Sequence, residues 1–398
     1  MDNPGDGLSG NPFSGIPFLG DIAKALSGQG PLSWDAARQF AALTATGGTA
    51  ERNVDPSVRF ALNELVRIAE MQIGVLTGLD TAVGGRSLEI VPVTPGAWAD
   101  RALEAYRPLF TQLATSLGQG AHPSSDESVD PAMAMIAQFG SLMQPMMLGM
   151  AVGSMVGHLA VRAFGQYDLP IPRPASAEVL VVPATIDAFA QDWSLPVDEL
   201  RLWVVLQEVA GHAVMNVAHI RATLTDLVSR HAGGFKPNPS AVLERMTDLD
   251  TGSGNPMEAL QSAFSDPTIM LGAVRSPEQE ALAPRLDALV AVVIGYVDHV
   301  VDLAAARLIP NSSQLAEAVR RRRVEASAED RFVEQLLGLH LSRQAVQRGR
   351  AFVAGVVERA GNEGLEPLFR NAESLPTPAE VDAPGLWLAR LDLGHLGD

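Results

Sequence analysis

The chain has 398 residues, a formal net charge of −17 and a composition that is 47% hydrophobic and 19% charged. Such a composition is typical of a globular protein, and the length suits one large domain or two ordinary ones. The acidic balance argues against nucleic acid and against anionic membrane surfaces as partners. The absence of cysteine excludes disulfides, thiolate metal ligands and a cysteine nucleophile.

The start of the chain is rich in Gly, Pro and Asn and lacks the basic segment and long apolar run of a secretory signal. We therefore predict an irregular segment over residues 1–30 and a cytoplasmic protein. Residues 31–398 are predicted to form a single large domain, with a subdivision near residues 165–195 left open.

Helical periodicity predicts a helix after Ser33, which is a suitable N-cap, and further helices over residues 56–79 and 95–116. Short strands are predicted over residues 87–93 and 178–183. The stretch 131–161 has no charged residue and could span a bilayer by length. Its Gln, Ser, Gly and Met content favours a buried helix or helix pair, and membrane association is the weaker alternative.

The second half of the chain is also predicted to be helical. Residues 165–174 contain three prolines and must be irregular. Residues 195–230 should form one long helix or two helices, and within them residues 200–224 should bury the side that carries Trp203, Leu206, Ala210 and Val214. Residues 282–308 should form a strongly apolar helix. The run from Arg320 to Arg323 is interpreted as a solvated helix end. The predicted fold is therefore mainly α with two or so short strands.

One stretch has a pattern that points to chemistry. Zinc peptidases place two histidines four positions apart on one helix, with a glutamate after the first histidine as general base. Residues 207–211 read QEVAG. The glutamate, Glu208, is present in this frame, and both histidines are absent.

The surrounding residues resemble a known family. Its helix reads approximately L-R-x-W-V-x-x-H-E-x-A-H-H-A, which is matched by Leu200, Arg201, Trp203, Val204, Glu208, Ala210, His212 and Ala213. Further matching strings are NPF (11–13), GQGPLSWDAARQ (28–39), NVDP (53–56), GQYDLPIP (165–172), GYVDHVVD (295–302) and LLGL (336–339). The chain is thus similar to a zincin-like family from high-GC Gram-positive bacteria. Its members are described as zinc-dependent metalloproteases or hydrolases, and also as associated with deazaflavin coenzyme biosynthesis.

The resemblance implies three zinc ligands, and this chain departs from the family at all three positions. Gln207 and Gly211 replace the two histidines, and Ile294 replaces a glutamate on a later helix. An amide, a hydrogen and an alkyl group cannot hold zinc as imidazole and carboxylate do. The resemblance therefore implies a zincin-like fold with Glu208 as a vestigial general base, and no cofactor is expected.

An alternative site remains open from the sequence. Glu208, His212 and His219 are spaced to share one face of a continuous helix, and Asp298 and His299 could approach from the later helix. A displaced zinc site built from these residues would give an active hydrolase. The leading hypothesis is instead a catalytically inactive protein that binds or regulates a protein or peptide partner. The sequence indicates no oligomeric state.

Overall fold

The computed structural model describes residues 30–119, 131–235, 276–325, 336–339 and 342–395. Over these residues the chain is mainly helical with one pair of short strands, β1 (Glu89–Pro92) and β2 (Glu178–Val181), so the predicted fold class is confirmed. The irregular segment predicted at residues 1–30 lies outside the described residues except for its last position. The α-helices in chain order are α1 Trp34–Thr46, α2 Pro56–Thr77, α3 Pro95–Ala105, α4 Arg107–Gln119, α5 Pro131–Arg162, α6 Pro183–Asp192, α7 Val197–Asn216, α8 Ala218–Gly233, α9 Pro277–Leu308, α10 Ser312–Val324, α11 Arg343–Ala360, α12 Pro378–Asp382 and α13 Pro384–His395.

The helix starts follow ordinary capping chemistry. The Ser33 hydroxyl accepts the N–H of Ala36 at the start of α1, as predicted. Asp55 accepts the N–H of Ser57 at the start of α2, which has a proline in its first turn. The helix predicted over residues 95–116 is in fact two helices. Pro108, which lacks an N–H and would clash with the carbonyl four residues earlier, explains why α3 ends and α4 begins anew.

The two predicted strands pair in parallel, with Ile90 opposite Val179 and Val91 opposite Leu180. The segment that precedes β2 runs back along its other side, where Gly165 bridges to Val181. The indole N–H of Trp98 also donates to the carbonyl of Gly165 at 2.9 Å. These bonds fix the backbone of residues 165–167 next to α7.

Helix α5 packs on α1 through glycine. A Cβ added at Gly153 would overlap the carbonyl oxygen of Ala37, and one at Gly157 would lie 2.8 Å from the carbonyl oxygen of Ala41. The two backbones can therefore approach closely only because these positions carry no side chain. Val152 and Val156 on the same helix are buried in the core, as expected for the buried-helix interpretation of the uncharged stretch.

Among the described residues, α9 is the one helix that is long and apolar enough to cross a bilayer, and most of its apolar window is buried within the fold. Most of the side chains of α9 are buried, and Val293 and Tyr296, for example, are nearly inaccessible to solvent. Its burial is typical of the central helix of a folded core.

Helix α7 lies at the centre of the molecule and contacts α2, α6, α9 and β2. The side predicted to be buried, with Trp203, Leu206, Ala210 and Val214, is buried, and burial extends to every residue from Trp203 to Met215. Of the one or two helices predicted over residues 195–230, the structure has two, because α7 ends at Asn216 and α8 begins after an extended residue, Val217. Packing from all sides overrides the amphipathic pattern of the segment.

Candidate functional site

The three positions that the resemblance assigns to zinc ligands lie together in the structure. Gln207 and Gly211 on α7 and Ile294 on α9 line one cleft with a free volume of about 30 Å³, which is room for one or two water molecules. The other residues that line this cleft are Tyr167, Asp168, Pro170, Met215, Val293, Val297, Asp298 and Arg323.

The donor set of the cleft does not fit zinc. Structural and catalytic zinc sites need at least three imidazole, thiolate or carboxylate ligands. At the three positions the chain offers a neutral amide, no side chain and an alkyl group, and Ile294 is only 8% exposed within the apolar core. In the described part of the chain, no group of three His, Asp or Glu residues is placed to hold a metal ion.

Glu208 is fully buried and its carboxylate faces the backbone of the preceding loop. It accepts the N–H of Gln166 at 2.8 Å and that of Tyr167 at 3.0 Å. A Cβ at Gly165 would overlap the Glu208 carboxyl carbon, so the loop can approach only through glycine. Burial raises the pKa of Glu208 well above its usual range, and the nearby Asp168 adds to the increase, while the N–H bonds oppose it. Glu208 is not among the residues that line the cleft.

Tyr167 covers Gly211, the position that the resemblance assigns to the second zinc histidine. A Cβ added at Gly211 would lie 2.8 Å from the Cβ of Tyr167 and 3.1 Å from its Cγ. The phenol then reaches the next residue of α7, where it lies 3.1 Å from Nδ1 of His212. Burial raises the pKa of Tyr167 to about 12. The tyrosine ring therefore forms a wall of the cleft.

His212 is a buried structural histidine in this arrangement. Its Nε2 lies 2.8 Å from the carbonyl oxygen of Thr81, which can only accept, so Nε2 carries the proton. Nδ1 then accepts the O–H of Tyr167. Burial lowers the pKa of His212, which favours this neutral tautomer. Both ring nitrogens are occupied, and neither is free to bind a metal.

The other residues of the alternative metal site are separated from His212. His219 lies on α8, beyond the break at Val217, and its Nε2 contacts the carbonyl oxygen of Leu368 at 2.9 Å. The expected shared face is therefore interrupted by the helix break. Asp298 lines the cleft, but its carboxylate is bonded to Arg323 at 2.9 and 3.1 Å. His299 contacts the Asn362 side chain at 2.9 Å.

The arginine run on α10 is mostly buried, so its interpretation as a solvated helix end is wrong. The side chains of Arg320, Arg322 and Arg323 are 15%, 15% and 10% exposed. They pair with Asp302, Asp168 and Asp298 in that order. Three ion pairs thus hold α10 against α9 and the loop before β2, beside the cleft.

The sequence contained a signal for the ion pairs between α9 and α10, but none for the position of Tyr167. Asp298 and Asp302 are four apart on a helix, and Arg320 and Arg323 are three apart on the next one, so two complementary faces could have been inferred. Tyr167 lies within the GQYDLPIP string, where its role as a wall over position 211 could not be read from spacing.

The comparisons with known proteins agree with this architecture. A family model described as zincin-like metallopeptidase matches residues 32–388. A solved structure of a suspected hydrolase with a novel fold, from Chloroflexus aurantiacus, is 24% identical, with a TM-score of 0.60 over 91% of this chain and 99% of that one. This likeness shows a shared fold. No match is found among curated proteins. The chain belongs to the zincin-like metallopeptidase family.

Proposed function

We propose that this family member does not hydrolyse peptides by a zinc mechanism and acts instead by binding a protein or peptide partner in the cytoplasm. The observation that carries the proposal is the chemistry of the cleft. The three positions assigned to ligands, Gln207, Gly211 and Ile294, converge on one small cavity and together supply no imidazole and no carboxylate. A metal site whose ligands are replaced while its fold is kept would have this appearance, with the ligand positions still close together but without metal-binding side chains.

Two further features support loss of the hydrolytic function. The carboxylate of Glu208 accepts two backbone N–H groups of the loop before β2, so these bonds must break before it can act as a base in the cleft. Arg323 places a guanidinium, paired with Asp298, against the same cavity. The pair engages the Asp298 carboxylate, which a metal ion in the cavity would otherwise need as a ligand.

The competing function is a hydrolase with a displaced metal site at His212, His219 and Asp298. It requires all three side chains to exchange their present hydrogen bonds or ion pairs for a metal ion. Because His212 and Asp298 are buried, that exchange would remake part of the core.

Zinc content separates the two functions. The protein is purified without chelator, dialysed, and analysed for bound metal, and we expect well under one equivalent of zinc. Stoichiometric zinc that survives dialysis, and that His212→Ala removes, would establish the displaced site and overturn the proposal.

A further inference from the structure

A second depression shares the lining residues Tyr167 and Met215 with the cleft. We call it the arginine crevice, and its polar lining comprises Tyr167, Arg173, Ser176, His212, Asn216 and Arg221. Its free volume is about 10 Å³, which holds a group the size of one water molecule or one carboxylate oxygen. No acidic residue lines it.

The two arginines of the crevice have no carboxylate partner among the described residues, unlike the three that hold α10. Nη2 of Arg173 donates to the hydroxyl of Tyr106 at 2.9 Å, and its guanidinium lies over the Tyr106 ring at 5.0 Å. Nε of Arg173 is buried and has no hydrogen-bond partner. Nη1 of Arg221 donates to the backbone carbonyl of Met215 at 3.1 Å. Among the described residues, neither guanidinium therefore forms a salt bridge with a carboxylate, and the buried Glu208 acts on Arg173 only at longer range.

This arrangement is costly without a ligand. A buried N–H that has no acceptor loses its hydration and gains nothing in return. Two unpaired guanidinium groups at one depression also concentrate positive charge on a protein whose net charge is −17. A planar carboxylate accepts from guanidinium groups in pairs and would satisfy both requirements.

Ser176 adds a further donor to the crevice. Its oxygen already accepts the backbone N–H of Glu178 at 3.0 Å, so its hydroxyl proton is available to a ligand. Asn216 is held in place by donating to the carbonyls of Asp80 and Ala82. The donors of the crevice are thus carried by a fixed scaffold rather than by free side chains.

We propose that the arginine crevice binds a carboxylate, and that the carboxylate is the C-terminus of a peptide or protein. Tyr167 and Met215 line both the crevice and the cleft, so a chain that ends in the crevice can continue over the cleft. The inference that the crevice binds a carboxylate depends only on the two unpaired arginines. Its assignment to a peptide C-terminus rests on the proposed function.

The test uses three short peptides on the purified full-length protein. Acetyl-Ala-Ala-Ala with a free carboxylate is compared with its C-terminal amide and with acetyl-Ala-Glu-Ala amide, by ligand-observed NMR titration. We expect the free carboxylate to bind at least tenfold more tightly than either amide. Equal affinity of the first two peptides overturns the carboxylate site. Stronger binding of the glutamate peptide supports the carboxylate site and overturns the C-terminal assignment.

Variants locate the site. Arg221→Gln and Ser176→Ala should each weaken binding of the free carboxylate, by at least tenfold for the arginine. Arg285→Gln, at an exposed position of α9, removes the same charge and should leave binding unchanged. If both crevice variants bind the free carboxylate as tightly as the parent does, the carboxylate does not bind in the crevice. If Arg221→Gln does not fold, Ser176→Ala alone decides this question.

A competition experiment tests the choice of ligand. If inorganic phosphate displaces the peptide more effectively than acetate does, the crevice does not prefer a carboxylate. A protein that proves to contain zinc would refute the proposed function and leave these binding results unaffected.

Discussion

Tyr167 lies so close to Gly211 that a Cβ at position 211 would be 2.8 Å from the tyrosine Cβ. Two carbon atoms that are not bonded cannot approach to this distance without displacing one of their backbones. Position 211, which the family resemblance assigns to a zinc ligand, therefore has no free space beside it for a side chain. It is covered by an aromatic residue of the loop before β2.

The first prediction concerns stability at this contact. Gly211→Ala should lower the free energy of unfolding by about 1–3 kcal/mol, because overpacking outweighs the helix propensity gained by alanine. Helix propensity alone would favour alanine over glycine at this position by up to about 1 kcal/mol, provided that the side chain has room. The contact with Tyr167 leaves no such room.

Gly74→Ala is the matched control. Gly74 also lies inside a helix, α2, and a Cβ there would meet no atom within 4 Å. This variant should gain up to about 1 kcal/mol from helix propensity. Urea denaturation of both variants measures the difference, and a stabilised Gly211→Ala would show that Tyr167 moves aside without cost.

Capping residues and strands were predictable because their signals are local, as with Ser33 and the strand at residues 178–183. The convergence of Ile294 with Gln207 came from the family resemblance, since the two lie on separate helices. The cover formed by Tyr167 could not be predicted, because no spacing rule relates a loop residue to a helix position about forty residues away.

The sequence left open whether residues 195–230 form one helix or two, and it could not locate the break at Val217. Residues 200–224 contain no Gly or Pro that would end a helix near Asn216. The Asn216 side chain donates to the carbonyls of Asp80 and Ala82, so a contact distant in sequence accompanies the end of α7. Such long-range contacts override local propensity.

The second prediction concerns the pH dependence of stability. The folded pKa of Glu208 is raised above its unfolded value of 4.5, so the folded protein binds the proton more tightly than the unfolded chain does. The stabilising effect is therefore complete below about pH 4 and decreases as pH rises through the folded pKa. Glu208→Gln should lose this dependence. The melting temperature of the parent should fall relative to that of the variant between about pH 5 and about pH 8.

Glu64→Gln serves as the control for this measurement, because the Glu64 side chain is 51% exposed on α2. Its melting temperature should follow that of the parent across the same pH range. A constant difference between the parent and Glu208→Gln would mean that the N–H bonds from Gln166 and Tyr167 cancel the effect of burial.

The third prediction tests the ion pairs beside the cleft. Asp298→Ala leaves the buried guanidinium of Arg323 without its carboxylate, and Arg320 also loses a partner at 3.6 Å. Breaking a buried pair on one side costs about 3–5 kcal/mol. Glu64→Ala removes the exposed partner of Arg67 and should cost less than about 1 kcal/mol. Equal losses in the two variants, measured by urea denaturation, would show that the Asp298 pair is screened by water.

The last prediction is restoration of the metal site. Because Gln207, Gly211 and Ile294 line one cavity, the combination Gln207→His, Gly211→His and Ile294→Glu should create a three-ligand zinc site. No single change should do so, because one added ligand leaves the ion with too few donors. Tyr167 must move to admit a side chain at position 211. The triple variant combined with Tyr167→Ala should therefore bind zinc more tightly than the triple variant itself.

The melting temperature with and without zinc measures this restoration. Without zinc, both combined variants should be less stable than the parent, since Ile294→Glu buries a charge that only the metal can neutralise. Zinc at a hundredfold excess over its dissociation constant should restore about 2.7 kcal/mol. The parent and the single variants should show no shift. If a combined variant folds but its melting temperature does not change with zinc, the side chains at 207, 211 and 294 do not lie close enough together to bind one ion.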